Sequence, residues 1–274
     1  MNIVQKSEPN FYEGHDNGIS TILSNLEEMP EKVVLFDLDS AIYHTTYSGK
    51  DEFGNRNPEF NINDLPYLEG KLNELILKHI NQVEQYFKIK ALYMFIKGRN
   101  NFRKEIYPEY KAHRTTESDL IKPLLQYVVN TFNAIESHGA EADDYIYTFA
   151  QKLNWDCIVL TCDKDLFQMP TTFYNYLKDK WSKVDEKEAM YNTYKLLCCG
   201  DAADGINFTK GLGIRYFEKN FSIDFTQEQY EEALLNGFLK VYKGDYQKAE
   251  EMITLSKQLI LLKDVQEFLN IEHD

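Results

Sequence analysis

Two short apolar runs in this chain end beside aspartates. Lys32-Val33-Val34-Leu35-Phe36 stops at Asp37, and Cys157-Ile158-Val159-Leu160-Thr161 leads into Cys162-Asp163-Lys164-Asp165. Runs this short, without polar alternation, read as strands buried on both faces. A third run spans residues 91–96, with weaker ones at 132–135 and 172–176. Helical spacing separates them. Leu72, Leu75, Ile76, His79, Ile80 and Val83 predict a helix over 65–87. Others are expected over 117–130, with Ser118 as a cap and Pro123 near the first turn, and over 141–153. The alternation predicts an α/β fold, a mostly parallel central sheet flanked by helices. Such sheets place their sites beyond the carboxyl ends of the strands, which is where the aspartates fall.

Beyond about residue 185 the pattern is helical, with helices expected over 226–239 and 245–269. Gly211-Leu212-Gly213 reads as a hairpin between two helices. No repeat or low-complexity linker interrupts the chain, and 274 residues suffice for one large core or a core with a small lobe. Cys157, Cys162, Cys198 and Cys199 form no zinc pattern and are expected to be buried, reduced thiols. No apolar run approaches the roughly 20 residues that span a bilayer. The first residues lack the apolar stretch of a signal peptide, so a cytosolic location and no membrane partner are expected.

The remaining chemistry is acidic and basic. Asp37 and Asp39, then Glu141, Asp143 and Asp144, then Asp163 and Asp165, then Asp201 and Asp204 supply carboxylates suited to divalent ions. Each cluster has a plainer explanation. Acids at 141–144 would cap a helix, although three in four residues repel one another until a cation binds. Asp163-Lys164-Asp165 and residues 200–205 would serve equally as turns. A net charge of −14 argues against binding a polyanion, yet residues 97–114 hold six basic side chains against two acidic ones. Within that stretch Tyr110-Lys111-Ala112-His113-Arg114 sets two cations three residues apart beside an aromatic ring. A solvated helix face is the bland alternative, and His113 is expected at the surface. Carboxylates joined to a cationic strip point to a nuclease.

In this order the motifs resemble the 5′-nuclease superfamily of flap endonucleases, bacterial DNA polymerase nuclease domains and phage 5′→3′ exonucleases. The matching segments are Asn101-Phe102-Arg103-Lys104-Glu105 leading into Tyr110–Arg114, Glu141-Ala142-Asp143-Asp144, Leu160-Thr161-Cys162-Asp163-Lys164-Asp165, and Gly200-Asp201-Ala202-Ala203-Asp204-Gly205 with Gly211-Leu212-Gly213-Ile214 behind it. The resemblance implies a PIN-like nuclease core over 1–195 with a basic arch near 97–125. A helical part over 196–274 would carry a helix–hairpin–helix-type element. It implies two Mg²⁺ or Mn²⁺ ions, one served by Asp37, Glu141, Asp143 and Asp144, the other by Asp163, Asp165, Asp201 and Asp204. Lys111 and Arg114 would act catalytically on the scissile phosphate. Arg103, Lys104, Tyr110, Lys210, Gly211 and Gly213 would contact DNA, with a monovalent cation at the hairpin. The substrate would be a duplex with a 5′ end, a flap or an RNA–DNA hybrid, processed in phage-type replication alongside other replication proteins.

Two departures stand out. The superfamily often carries a further carboxylate after its second strand, where this chain has Ile96-Lys97, and its first aspartate is usually followed by glycine, not by Leu38-Asp39-Ser40. Asp39 is a candidate substitute ligand. Val34-Leu35-Phe36-Asp37-Leu38-Asp39-Ser40 also fits the first motif of haloacid-dehalogenase-type phosphatases, but that reading leaves 110–114 and 141–144 without a role. A PIN-type RNase would not need the hairpin element. A catalytically weak DNA-binding factor is the alternative from another class.

Overall fold

The computed structural model describes residues 29–47, 64–114 and 121–266. The predicted cap Ser118 and the predicted helix tail at 267–269 lie outside them, as do residues 115–120 of the expected arch.

β1 (Glu31–Asp37) is the centre of a six-stranded sheet ordered β3-β2-β1-β4-β5-β6. It pairs in parallel with β2 (Lys88–Asn101) on one side and β4 (Cys157–Leu160) on the other. β3 (Ile135–Gly139) and β5 (Thr172–Asn175) extend the parallel set outward. β6 (Lys180–Lys183), which the apolar pattern did not reveal, closes one edge antiparallel to β5. Its two lysines keep that edge unattractive to other strands.

Alternation along β1 fixes the layers, since successive side chains face opposite ways. Val34 and Phe36 join a core under α1 (Asp39–Tyr47), α2 (Leu65–Glu84) and α4 (Ile121–Phe132). Leu35 joins a second core, where α5 (Ala142–Lys152) packs Ile146 and Ala150 against Phe95, Val159 and Phe173. Leu72, Ile76, His79 and Val83 are buried along α2, as their spacing predicted. α3 (Phe102–Ile106) is a single short turn continuing β2.

The helical part follows: α6 (Glu186–Cys199), α7 (Ile214–Asn220), α8 (Gln227–Val241) and α9 (Tyr246–Ile260). Phe217, Tyr230, Phe238 and Met252 form its core, together with Tyr110 from the basic segment. A boundary at residue 195 would cut α6, which is continuous. Gly211 and Gly213 sit at the end of a turn-rich segment over 200–213, not in a tight hairpin between abutting helices. Both adopt positive φ, 95° and 123°, which favours glycine. Cys157 and Cys198 are buried, but Cys162 and Cys199 are only partly so, a correction to the expectation that all four are interior.

Candidate active site

The sheet order reverses between β1 and β4, and both strands deliver acids past their carboxyl ends. Asp37 closes β1 and is almost fully buried. Its Oδ2 accepts a hydrogen bond from Thr161 Oγ1 at 2.8 Å, and its Oδ1 from the Asp39 amide at 3.1 Å. Thr161 was not singled out in the sequence; a hydroxyl two residues before an aspartate is the signal that would have found it. The same Oγ1 receives the Asp163 amide, and Asp163 Oδ1 receives the Asp165 amide, so both strand ends are laced together. Asp39 accepts the Lys97 amide at 2.9 Å and lines the cleft beside Asp37. Ile96, at the position of the missing carboxylate, is buried in the core.

α5 brings the next acids. Glu141 is its N-cap, and Asp144 three residues on completes a capping box, accepting the Glu141 amide at 3.1 Å. Glu141 and Asp143 face the cleft. Asp144 does not. Fully buried, it takes a two-pronged contact from Arg103, Nη1 to Oδ2 at 2.5 Å and Nη2 to Oδ1 at 2.8 Å. This corrects two expectations. Asp144 has its oxygens committed to a guanidinium and to backbone amides, so it is not free to ligate a metal. Arg103, 2% exposed, is sealed away from DNA.

Residues 107–114 fold back over the acids. Lys111 adopts φ 57°, held there by its own amide donating to the Asp204 carbonyl at 2.9 Å. Its ammonium donates to Glu141 Oε1 at 2.5 Å and lies 3.4 Å from Asp204 Oδ2. Arg114 donates to Asp204 Oδ1 at 2.6 Å. Tyr110 is buried, with its hydroxyl oxygen 2.9 Å from both Glu141 Oε2 and Asp204 Oδ2, which share its one proton. A ring so placed stacks on no base, and the expectation that Tyr110 meets DNA is corrected accordingly. Lys104 and Lys210 are exposed, as is Gly211, while Gly213 is half-buried.

Asp201 and Asp204 lie in a turn closed by paired backbone bonds between Asp201 and Ile206. Carboxylate oxygens of Asp165, Asp201 and Asp204 lie within 4.8 Å of one another. Asp165 Oδ1 is buried with no hydrogen-bond donor among the described residues, and Lys164, which the sequence reading passed over, reaches to 3.6 Å from Asp201. An all-oxygen donor set with an orphaned buried oxygen fits a hard divalent cation.

The electrostatics have one theme. Burial and the Asp37 charge raise Asp39 to about 7, and burial raises Asp37 itself to about 6 despite its Thr161 bond. Burial, then Asp163 and Asp201, lift Asp165 to about 8. Burial also raises Asp163, and burial with Asp163, Asp37 and Glu141 nearby lifts Asp143 well above the usual carboxylate range. Glu141 moves the other way: burial opposes its charge, but Lys111 and Arg103 outweigh it. Burial likewise opposes the Lys111 charge, and Glu141 and Asp204 overcome it. Acids crowded to this degree favour any cation that enters.

A family model described as 5′-3′ exonuclease, N-terminal resolvase-like domain, matches residues 31–195, more than half of the chain. The chain belongs to the 5′-3′ exonuclease family. Among curated relatives, the DNA polymerase I of Borreliella burgdorferi is 28% identical over 170 residues, covering 50% of this chain and 18% of the relative. The 5′-3′ exonuclease of Buchnera aphidicola subsp. Acyrthosiphon pisum is 27% identical over 159 residues, 51% of this chain and 56% of the relative. The chain thus spans about a fifth of the polymerases it matches and over half of the shorter exonuclease. A mutant of the T5 5′-exonuclease shares the fold, with a TM-score of 0.52 at 13% identity over 86% of this chain and 89% of that one. Membership in the 5′-3′ exonuclease family sets aside the phosphatase reading of residues 34–40. Among the described residues, no helix is long and apolar enough to cross a membrane.

Proposed function

We propose that this chain hydrolyses DNA phosphodiesters from or near a 5′ end, as exonuclease or flap endonuclease, with two divalent ions, Mg²⁺ or Mn²⁺. The observation that carries the reading is the meeting of Asp165, Asp201 and Asp204 within 4.8 Å, beside Lys111 and Arg114. Those three aspartates with Asp163 would hold one ion, and Asp37, Glu141 and Asp143, with Asp39 beside them, the other. When bound, the pair supplies activation of water and charge for the leaving oxygen during in-line attack.

The chain's own residues do the rest. Lys111 and Arg114 lean on Glu141 and Asp204. Lys111 and Arg114 would contact the scissile phosphate, where they would offset charge in the transition state. Tyr110, its phenol kept protonated by burial and by Glu141 and Asp204, shares its one proton between the two acids and fixes their orientation. Lys104, Lys210, Gly211 and Gly213 would grip backbone phosphates, contacts that position DNA without reading sequence. A monovalent cation at the glycine turn, a role in phage-type removal of primers or flaps, contacts with replication proteins and a cytoplasmic setting belong to the same reading.

The test is a time course in Mg²⁺ and in Mn²⁺ on a 5′-end-labelled duplex and a matched 5′-flap substrate, with EDTA controls. Short products from the duplex or a released flap, both abolished by EDTA, are expected. Binding of both substrates without cleavage in either metal would overturn the assignment in favour of a DNA-binding factor.

A further inference from the structure

We propose that Arg103 is a positioning residue for cleavage, which never meets the substrate and acts through Asp144 and Glu141 on the metal-holding face of α5. The inference rests on the metal-dependent reading above.

Arg103 grows from the end of β2, where the Asn101 side chain accepts its amide at 3.0 Å. Its guanidinium spends its donors in three directions. The fork on Asp144 is one. Nε donates to the Leu259 carbonyl at 2.8 Å and Nη2 to the Leu261 carbonyl at 3.1 Å, at the end of α9 and just beyond it. Nη1 also lies 3.7 Å from Glu141 Oε2. Asp144 in turn accepts the Glu141 amide and, from the chain beyond α9, the Lys263 amide at 2.9 Å. One side chain therefore sets both the backbone of the first turn of α5 and the charge behind the Glu141 carboxylate.

A glue between lobes would not need this chemistry. A buried ion pair gains little stability over apolar residues of the same shape, because desolvation offsets the attraction. What an apolar pair would not supply is a cation behind Glu141 and a fixed N-cap angle for Glu141 and Asp143. Lysine would not supply the fork. Outer partners of metal-holding groups typically matter about 10–100-fold in metal affinity or activity.

The experiment compares wild type, Arg103→Lys, and the charge-free double variant Arg103→Met with Asp144→Leu, which leaves no unpaired buried charge and whose folding is checked by its melting transition. Mn²⁺ affinity is read by calorimetry without DNA, Tm by thermal melting, and kcat and KM on the labelled duplex. Expected for the double variant are a single cooperative melting transition, an unchanged KM, and Mn²⁺ affinity and kcat each lowered by at least about tenfold. Arg103→Lys should fall between. A folded double variant with wild-type Mn²⁺ affinity and kcat would reduce the pair to glue and overturn the proposal. A lowered Tm with unchanged metal affinity would do the same. Wild type that binds no Mn²⁺ would overturn the functional reading, and this inference with it.

Discussion

Asp165 Oδ1 is a buried acceptor without a donor among the described residues, with the Lys164 ammonium 3.9 Å away. Its folded pKa of about 8 stands far above the roughly 3.9 of an unfolded aspartate. Between those values the native chain holds a proton that the unfolded chain has released, so this group makes stability fall as pH rises from about 4 to 8. Asp165→Asn removes the effect. In EDTA the variant should melt above wild type at pH 8.5, by at least about 2 °C, and the gap should narrow progressively toward pH 4. Adding Mg²⁺ should raise the wild-type Tm more than that of the variant. A gap independent of pH, measured by calorimetry at four or five pH values, would sink the account. In the sequence this acid reads equally as a turn residue, and it becomes a candidate ligand only through the ordered set of acidic motifs to which it belongs. Asp144 belongs to the same acidic run and does a different job. Nothing in Glu141-Ala142-Asp143-Asp144 tells which acid faces the cleft until the helix starts at Ala142 and places Asp144 under Arg103.

At the scale of elements, apolar continuity made β1, β2 and β4 legible, and helical spacing did so for α2 and α5. α1 escaped because Asp39-Ser40-Ala41-Ile42-Tyr43-His44-Thr45-Thr46-Tyr47 offers a weak apolar stripe. α9 was expected to run on to 269, since Leu261 and Leu262 prolong its pattern. Leu261 is instead extended, at φ −69° and ψ 136°, and the helix stops at Ile260. The β2–β3 seam depends on a residue no pattern marks. A Cβ on Gly98 would lie 1.7 Å from the Ser137 carbonyl oxygen, and the Gly98 amide donates to Ser137 Oγ at 3.0 Å. The obstacle is backbone, so it cannot rotate away. Gly98→Ala should push β3 outward and, through the short link from Gly139, disturb Glu141. The expected loss is about 1–3 kcal/mol, the usual range for overpacking. Urea unfolding followed by circular dichroism checks it, and a midpoint equal to wild type would mean that β3 yields freely.

For the whole molecule, the question is how a sheet domain and a helical part make one site. The acids come from both: Asp37, Asp143 and Asp163 from the sheet side, Asp201 and Asp204 from the segment after α6. Their mutual placement depends on the contacts between the parts, which sequence periodicity does not encode because each contact joins residues far apart in the chain. The chain beyond α9 is one such tie. It returns to α5, where Val265 is buried in the second sheet core and donates its amide to Thr148 Oγ1 at 3.0 Å, two residues along from the Lys263–Asp144 contact. An aspartate at 265 would place a charge in that core, so Val265→Asp should peel the segment off α5 and loosen the helical part first. Both tryptophans, Trp155 and Trp181, pack in the sheet cores, so fluorescence follows the sheet while circular dichroism weighs the helices. In wild type the two urea curves should coincide, as a cooperative unit requires. In the variant the dichroism curve should begin to fall at lower urea than the fluorescence curve, and Mn²⁺ affinity should drop with it. Coincident curves at the wild-type midpoint would show that the other contacts alone hold the two parts in register, and that the segment beyond α9 adds nothing to the geometry of the acids.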